Sequence, residues 1–167
     1  KKNLSSEAKG SIDELKRILE SKPEALIFYS GHDRYYPETI EQYLKTLSAS
    51  TLKYIIIKNS NEDFVGIVSI DQFMSQTLSE TPSIHPYQFA EWLANGDNEK
   101  FSSIHGFITN NQSLSETTTK MFALEQIESL NTSFLPVLEN KKIIGLIERE
   151  QLSTSLLMDV SRSLNNE

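Results

Sequence analysis

Two segments of the chain carry one pattern, F-V-G-I-V-S-I-D-Q-F over 64–73 and I-I-G-L-I-E-R-E-Q-L over 143–152, with Gly66 and Gly145 standing 79 residues apart. The glycine, the apolar residues around it and the closing Gln plus apolar residue all match. Each segment follows an apolar run and a polar turn, so each reads as the returning strand of a hairpin. Before the first come Lys53-Tyr54-Ile55-Ile56-Ile57 and a turn at 59–63. Before the second come Phe134-Leu135-Pro136-Val137-Leu138 and a turn at 139–142. A repeat of this kind means two similar half-domains, neither of which readily buries its sheet face alone.

The remaining elements fall into the same order twice. Ala25-Leu26-Ile27-Phe28-Tyr29 is a short buried strand, and Pro37 opens a helix carrying Ile40, Tyr43, Leu44 and Leu47, a position where its missing N–H is not needed. A helix over about 71–78 closes the first copy. In the second, Gly106-Phe107-Ile108-Thr109 is the first strand, a helix over 114–130 sets Leu114, Met121, Leu124 and Ile127 on one stripe, and a last helix runs over about 149–164. Outside the repeats lie an amphipathic helix over 4–21, ended by Pro23, and a helical insert containing Trp92. The expected fold is therefore α/β, with two tandem β-α-β-β-α repeats at 24–80 and 104–163 related by a pseudo-two-fold axis. An N-terminal helix occupies 1–23 and an insert 81–103.

Composition removes several function classes. Sixteen Lys plus Arg against 23 Asp plus Glu give a net charge of −7. Without a basic cluster, nucleic acid is not an expected partner. Cysteine is absent, which excludes disulfides, thiolate zinc sites and thiol nucleophiles. His32, His85 and His105 show no metal-ligand spacing, so no metal is expected. The apolar runs, such as those at 25–29 and 54–57, are far short of the ~20 residues that span a bilayer. The chain opens on Lys1-Lys2-Asn3 with neither an initiator Met nor the apolar core of a signal peptide, and reads as an excised, cytoplasmic fragment without membrane contact. The sequons at Asn3, Asn111 and Asn131 are then chance. Ser30-Gly31-His32-Asp33 sets three hydrolase residue types side by side, but a triad converges from separate segments and no G-x-S-x-G elbow is present, so it reads as a loop. Trp92, Tyr87 and Phe89 are expected to pack back onto the domain rather than form a recognition patch.

The x-L-P-V strand at Phe134-Leu135-Pro136-Val137, together with the G-apolar-apolar stretch after each hairpin, resembles the CBS domain pair over about residues 24–163. The second repeat matches better, since the first has Ile56 where Pro136 sits. The resemblance implies a non-catalytic regulatory module that holds an adenosine-type nucleotide and reports to an attached effector domain. It also implies a signature G-apolar-x-(Thr/Ser)-x-x-Asp, whose hydroxyl meets phosphate and whose carboxylate accepts from ribose. Here Ser69 is retained and Gln72 replaces the Asp. In the second copy Glu148 replaces the hydroxyl and Gln151 the Asp. A carboxylate beside a phosphate adds repulsion and removes a donor. No cofactor is expected beyond weak adenosine-nucleotide binding, on the Ser69/Gln72 side. Ile55, Ile57, Leu135 and Val137 would be apolar cleft walls, with Thr109 near the first strand of the second repeat. A homodimer is expected through apolar helical faces at Met74 and Leu78 and at Leu156, Leu157 and Val160. Two alternatives stand beside this reading. One is protein–protein scaffolding without a ligand, and the other is a small α/β enzyme using Ser30, His32 or paired carboxylates.

Overall fold

The computed structural model describes Ile12, residues 24–31, 40, 42, 45, 46 and 51–165. The helix expected at 4–21, most of the helix opened by Pro37 and the pair His32-Asp33 lie outside the described residues. The chain divides into two compact units, Leu19–Asn111, and Gln112–Glu167 with Lys1–Ile18.

In the first unit, strands β1 (Ala25–Tyr29), β2 (Tyr54–Lys58), β3 (Phe64–Ser69) and β4 (Ile108–Thr109) form one sheet in sequence order. β1 runs parallel to β2, and the other pairs are antiparallel. One row crosses the whole sheet: Phe28 opposite Ile57, Ile57 opposite Gly66, and Gly66 opposite Thr109. The turn between β2 and β3 is folded by Asn59, whose Oδ1 accepts from the backbone N–H groups of Asn61 at 2.8 Å and Asp63 at 3.0 Å. Helix α1 (Ile70–Thr77) follows directly. Helix α2 (Pro86–Asn95) starts on a proline and ends at Gly96 in the left-handed region, φ 69°. A 3-10 segment, Asn98–Ser103, leads back to β4.

The core of this unit is aromatic. Phe89 stands at its centre with edge-on contacts to Phe28 at 5.5 Å, Phe73 at 4.8 Å and Phe101 at 5.8 Å, and Phe101 reaches Trp92 at 6.0 Å and Phe107 at 5.9 Å. Ile55, Ile57 and Val68 supply the sheet side of that core. Trp92 and Phe89 thus pack inward as expected, while Tyr87 is exposed.

The second unit pairs β5 (Phe134–Glu139) with β6 (Lys142–Glu148) across Asn140 and Lys141, which have φ of 51° and 67° as a tight hairpin turn requires. Its parallel neighbour is Leu114, a single bridge opposite Val137, donating to Pro136 O at 2.9 Å and accepting from Leu138 N at 2.8 Å. The repeat is therefore visible in register. Phe28–Ile57–Gly66 corresponds to Leu114–Val137–Gly145, and each hairpin has its irregularity just after the middle residue, between Ile57 and Lys58 and between Val137 and Leu138.

Two expectations need correction here. Gly106-Phe107-Ile108-Thr109 does not open the second sheet; Ile108–Thr109 pairs with Ile67 and Gly66 at the edge of the first. Such a short strand has no neighbour written into its own residues, and the position after α2 delivers it to β3. The helix read over 114–130 is α3, Lys120–Ser129, because Leu114 bonds to β5 and Thr119 caps the helix by accepting from Phe122 N at 3.2 Å. Its inner face is Lys120, Ala123 and Ile127, leaving Met121 exposed.

The burial of Lys120 has a specific cause. Helix α4 (Arg149–Asn165) brings Asp159 to it, with Lys120 Nζ 3.1 Å from Asp159 Oδ2 and side-chain exposures of 5% and 3%. Arg162 Nη2 stands 3.6 Å from the other carboxylate oxygen. Among the described residues no helix is long and apolar enough to cross a membrane. Removing one member of a buried pair strands the other's charge, so Asp159→Ala should cost about 3–5 kcal/mol in urea unfolding. Lys120→Met/Asp159→Leu, which replaces the pair by apolar side chains, should recover most of that loss.

Candidate functional site

β3 and α1 together present the sequence Gly66 to Gln72 as a strand-to-helix turn. Ser69 is the helix N-cap: its Oγ accepts from Gln72 N at 3.2 Å, and the hydroxyl donates to Gln72 Oε1 at 3.4 Å. The two polar residues expected to face a ligand thus meet each other, in the Ser-x-x-Gln spacing of a helix start. Asp71, one position earlier, lies in the first turn, where a carboxylate complements the helix dipole.

Residues from much later in the chain lie on this turn. Gln76 binds the backbone of His105 at two points, donating from Nε2 to the carbonyl at 2.9 Å and accepting the N–H on Oε1 at 2.8 Å; Nε2 also donates to Gln72 O at 2.9 Å. Gly106 follows with φ 89°, and a Cβ there would overlap the Gln72 carboxamide. Phe107 lays its ring against Gly66, where a Cβ would overlap it too. These contacts escaped the sequence reading. Gln76 looks like an ordinary helix-surface glutamine, and a glycine needed for close approach is legible only once its neighbour is known.

In the second unit Glu148 ends β6, half-buried, with its backbone opposite Phe134. Arg149 N donates to Ser133 O at 2.8 Å, as Ile70 N does to Lys53 O at 2.9 Å in the first unit. Gln151 is exposed on α4. The Arg149 Nε is buried and has no hydrogen-bond partner. Ile55, Ile57, Leu135 and Val137 are fully buried and belong to the cores of their units. Thr109 sits at the edge of the first sheet opposite Gly66. Ser30 is buried, and His32 lies outside the described residues. Among the described residues no three His, Asp or Glu side chains converge as metal ligands would.

No family model and no curated protein matches the chain by sequence. Solved structures match it in shape. The crystal structure of CbpB in complex with c-di-AMP superposes with a TM-score of 0.55 at 15% identity, covering 98% of both chains. The chain has the fold of a CBS domain pair. CBSX2 in complex with AMP gives 0.52 at 14% identity over 89% of this chain and 96% of that one. The CBS domains of a transcriptional regulator from Streptococcus pneumoniae give 0.51 at 13% identity, over 87% and 98%. A CBS-pair fold accounts for both hairpins, their shared register and the helix after each.

The ring of Phe107 fixes residue 66 as glycine. Gly66→Ala should cost about 1–3 kcal/mol by denaturant unfolding, because the ring must leave its seat. In Phe107→Ala the same substitution should cost markedly less, a coupling that a double-mutant cycle reads directly.

Proposed function

We propose that the chain is a non-catalytic regulatory CBS-pair module of a cytoplasmic protein, carrying the state of a small-ligand site to an attached effector domain. The observation behind this is the match in shape, end to end, to a CBS pair solved with c-di-AMP bound. The ligand class we assign is an adenosine nucleotide, bound weakly, with Ser69 and Gln72 as its polar contacts in the first repeat. Gln72 accepts from a ribose hydroxyl without the charge assistance of an aspartate. Glu148 keeps phosphate away from the second repeat, and Gln151 there is a neutral contact. Ile55, Ile57, Thr109, Leu135 and Val137 act behind these residues by holding the sheets that carry them. We keep 24–80 and 104–163 as the two repeats that the function uses.

Ligand-free scaffolding is the second reading. It is favoured by the mutual hydrogen bonding of Ser69 and Gln72, which engages the hydroxyl and the carboxamide oxygen without a guest. Thermal-shift and calorimetric titration with AMP, ADP and ATP separate the two. A ligand at ~100 times its dissociation constant stabilises a fold by about 2.7 kcal/mol, a shift of very roughly 5–10 °C for a chain of this size. We expect much smaller shifts at millimolar nucleotide. Ser69→Ala should abolish them and Glu148→Thr should enlarge them. No shift in any of these proteins selects the scaffolding reading, and a full-sized shift in the parent shows that the lost aspartates matter less than we argue.

Assembly follows the exposed apolar residues. Leu157 and Val160 on α4 are exposed, whereas Met74 and Leu78 pack on the first unit's core. A self-complementary contact through α4 gives a two-fold homodimer. Light scattering should report twice the 19.0 kDa chain mass, reverting to one chain in Leu157→Glu/Val160→Glu.

A further inference from the structure

The segment over the Ser69–Gln72 turn has a construction that the nucleotide reading does not use. Its flanks are apolar and deep, with Phe101, Ile104, Phe107 and Ile108 all buried. Between them His105 and Gly106 cross α1 on hydrogen bonds alone. Gln76 meets both backbone groups of His105, as a neighbouring strand would, and Gly106 takes a left-handed φ that lets the chain lie directly on Gln72. Phe107 then covers Gly66, the residue that opens the signature. The glycine and the glutamine at the aspartate position, on either side of Ser69, are therefore both engaged by one stretch of this chain.

We propose that 105–107 is a strap latched by Gln76 over the Gly66–Gln72 turn, so that a ligand reaches Ser69 and Gln72 only when the strap lifts. The ligand part of this statement rests on the function proposed above; the latch does not. Opening breaks the two hydrogen bonds to His105 and lifts Gly106 off Gln72, while Ile104 and the seated ring of Phe107 hold the strap's ends. A latch built this way lowers apparent affinity by the fraction of time it is closed. Whatever frees Gln76 raises that affinity.

The absence of cysteine allows a test that needs no ligand. Ser69→Cys places one thiol on the turn in the otherwise unchanged 167-residue chain, and its alkylation rate by iodoacetamide reads access. Adding Gln76→Ala should speed labelling about tenfold and raise hydrogen exchange at His105–Phe107, with the far-ultraviolet spectrum unchanged. Gln76→Glu, which keeps the shape but sets a carboxylate against the His105 carbonyl, should do the same and stands in if the alanine variant folds poorly. Equal labelling rates with and without Gln76 overturn the latch, as does faster labelling without faster exchange at 105–107. With Ser69 retained, AMP at about 1 mM should give a larger thermal shift in Gln76→Ala than in the parent chain. If the strap opens and AMP gives no larger shift, the latch stands and the nucleotide reading fails.

Discussion

The ring of Phe107 occupies the space where a side chain on Gly66 would be, and the packing of the first unit's aromatic core follows from that contact. Ile55, Ile57 and Val68 make one face of the sheet bulky, and Gly66 leaves one gap in it. An aromatic ring filling the gap joins the sheet to Phe101 and, through it, to Phe89 and the helix that carries it. The same ring precedes β4 by one residue, so seating it also sets the two-residue strand against β3. A close-packed interior leaves little choice in this: a gap too small for water but large enough for a ring is filled or costs contacts.

The second unit is held differently. Its hairpin has one neighbour at Leu114 rather than a full strand on the β5 side, and its helices are joined by charge. Asp159 between Lys120 and Arg162 is a polar specification inside an otherwise apolar contact. It fixes which residues of α3 and α4 meet, and so which face outward. Met121, Phe122, Leu157 and Met158 are exposed as a result.

Much of this was legible in the sequence. The hairpins were written in alternation and turn chemistry, and the 79-residue spacing carried over into matched registers and matched irregularities. The parts that were not legible depend on distant partners. Lys120 reads as a solvated first-turn residue until Asp159, 39 positions on, is known, and this is why the stripe through Met121 was out of phase. Ile108–Thr109 reads as any short strand, because its own residues do not say which edge it joins. At the candidate site Ser69 and Gln72 were singled out by the signature that the resemblance implies. What it could not carry is that the same spacing caps a helix, or that His105 would lie against Gln76.

The placement of β4 has a consequence for how this chain can be divided. Read along the sequence, the second copy begins before β4; read through hydrogen bonds, β4 completes the first sheet. Sequence modules and packing modules are out of phase. A cut at the sequence boundary would strip β3 of its outer neighbour and remove the ring from Gly66, leaving a half with an unpaired edge and a hole in its core. The two copies are thus alike without being interchangeable, and the natural seam of the protein lies beyond Thr109, after Asn111.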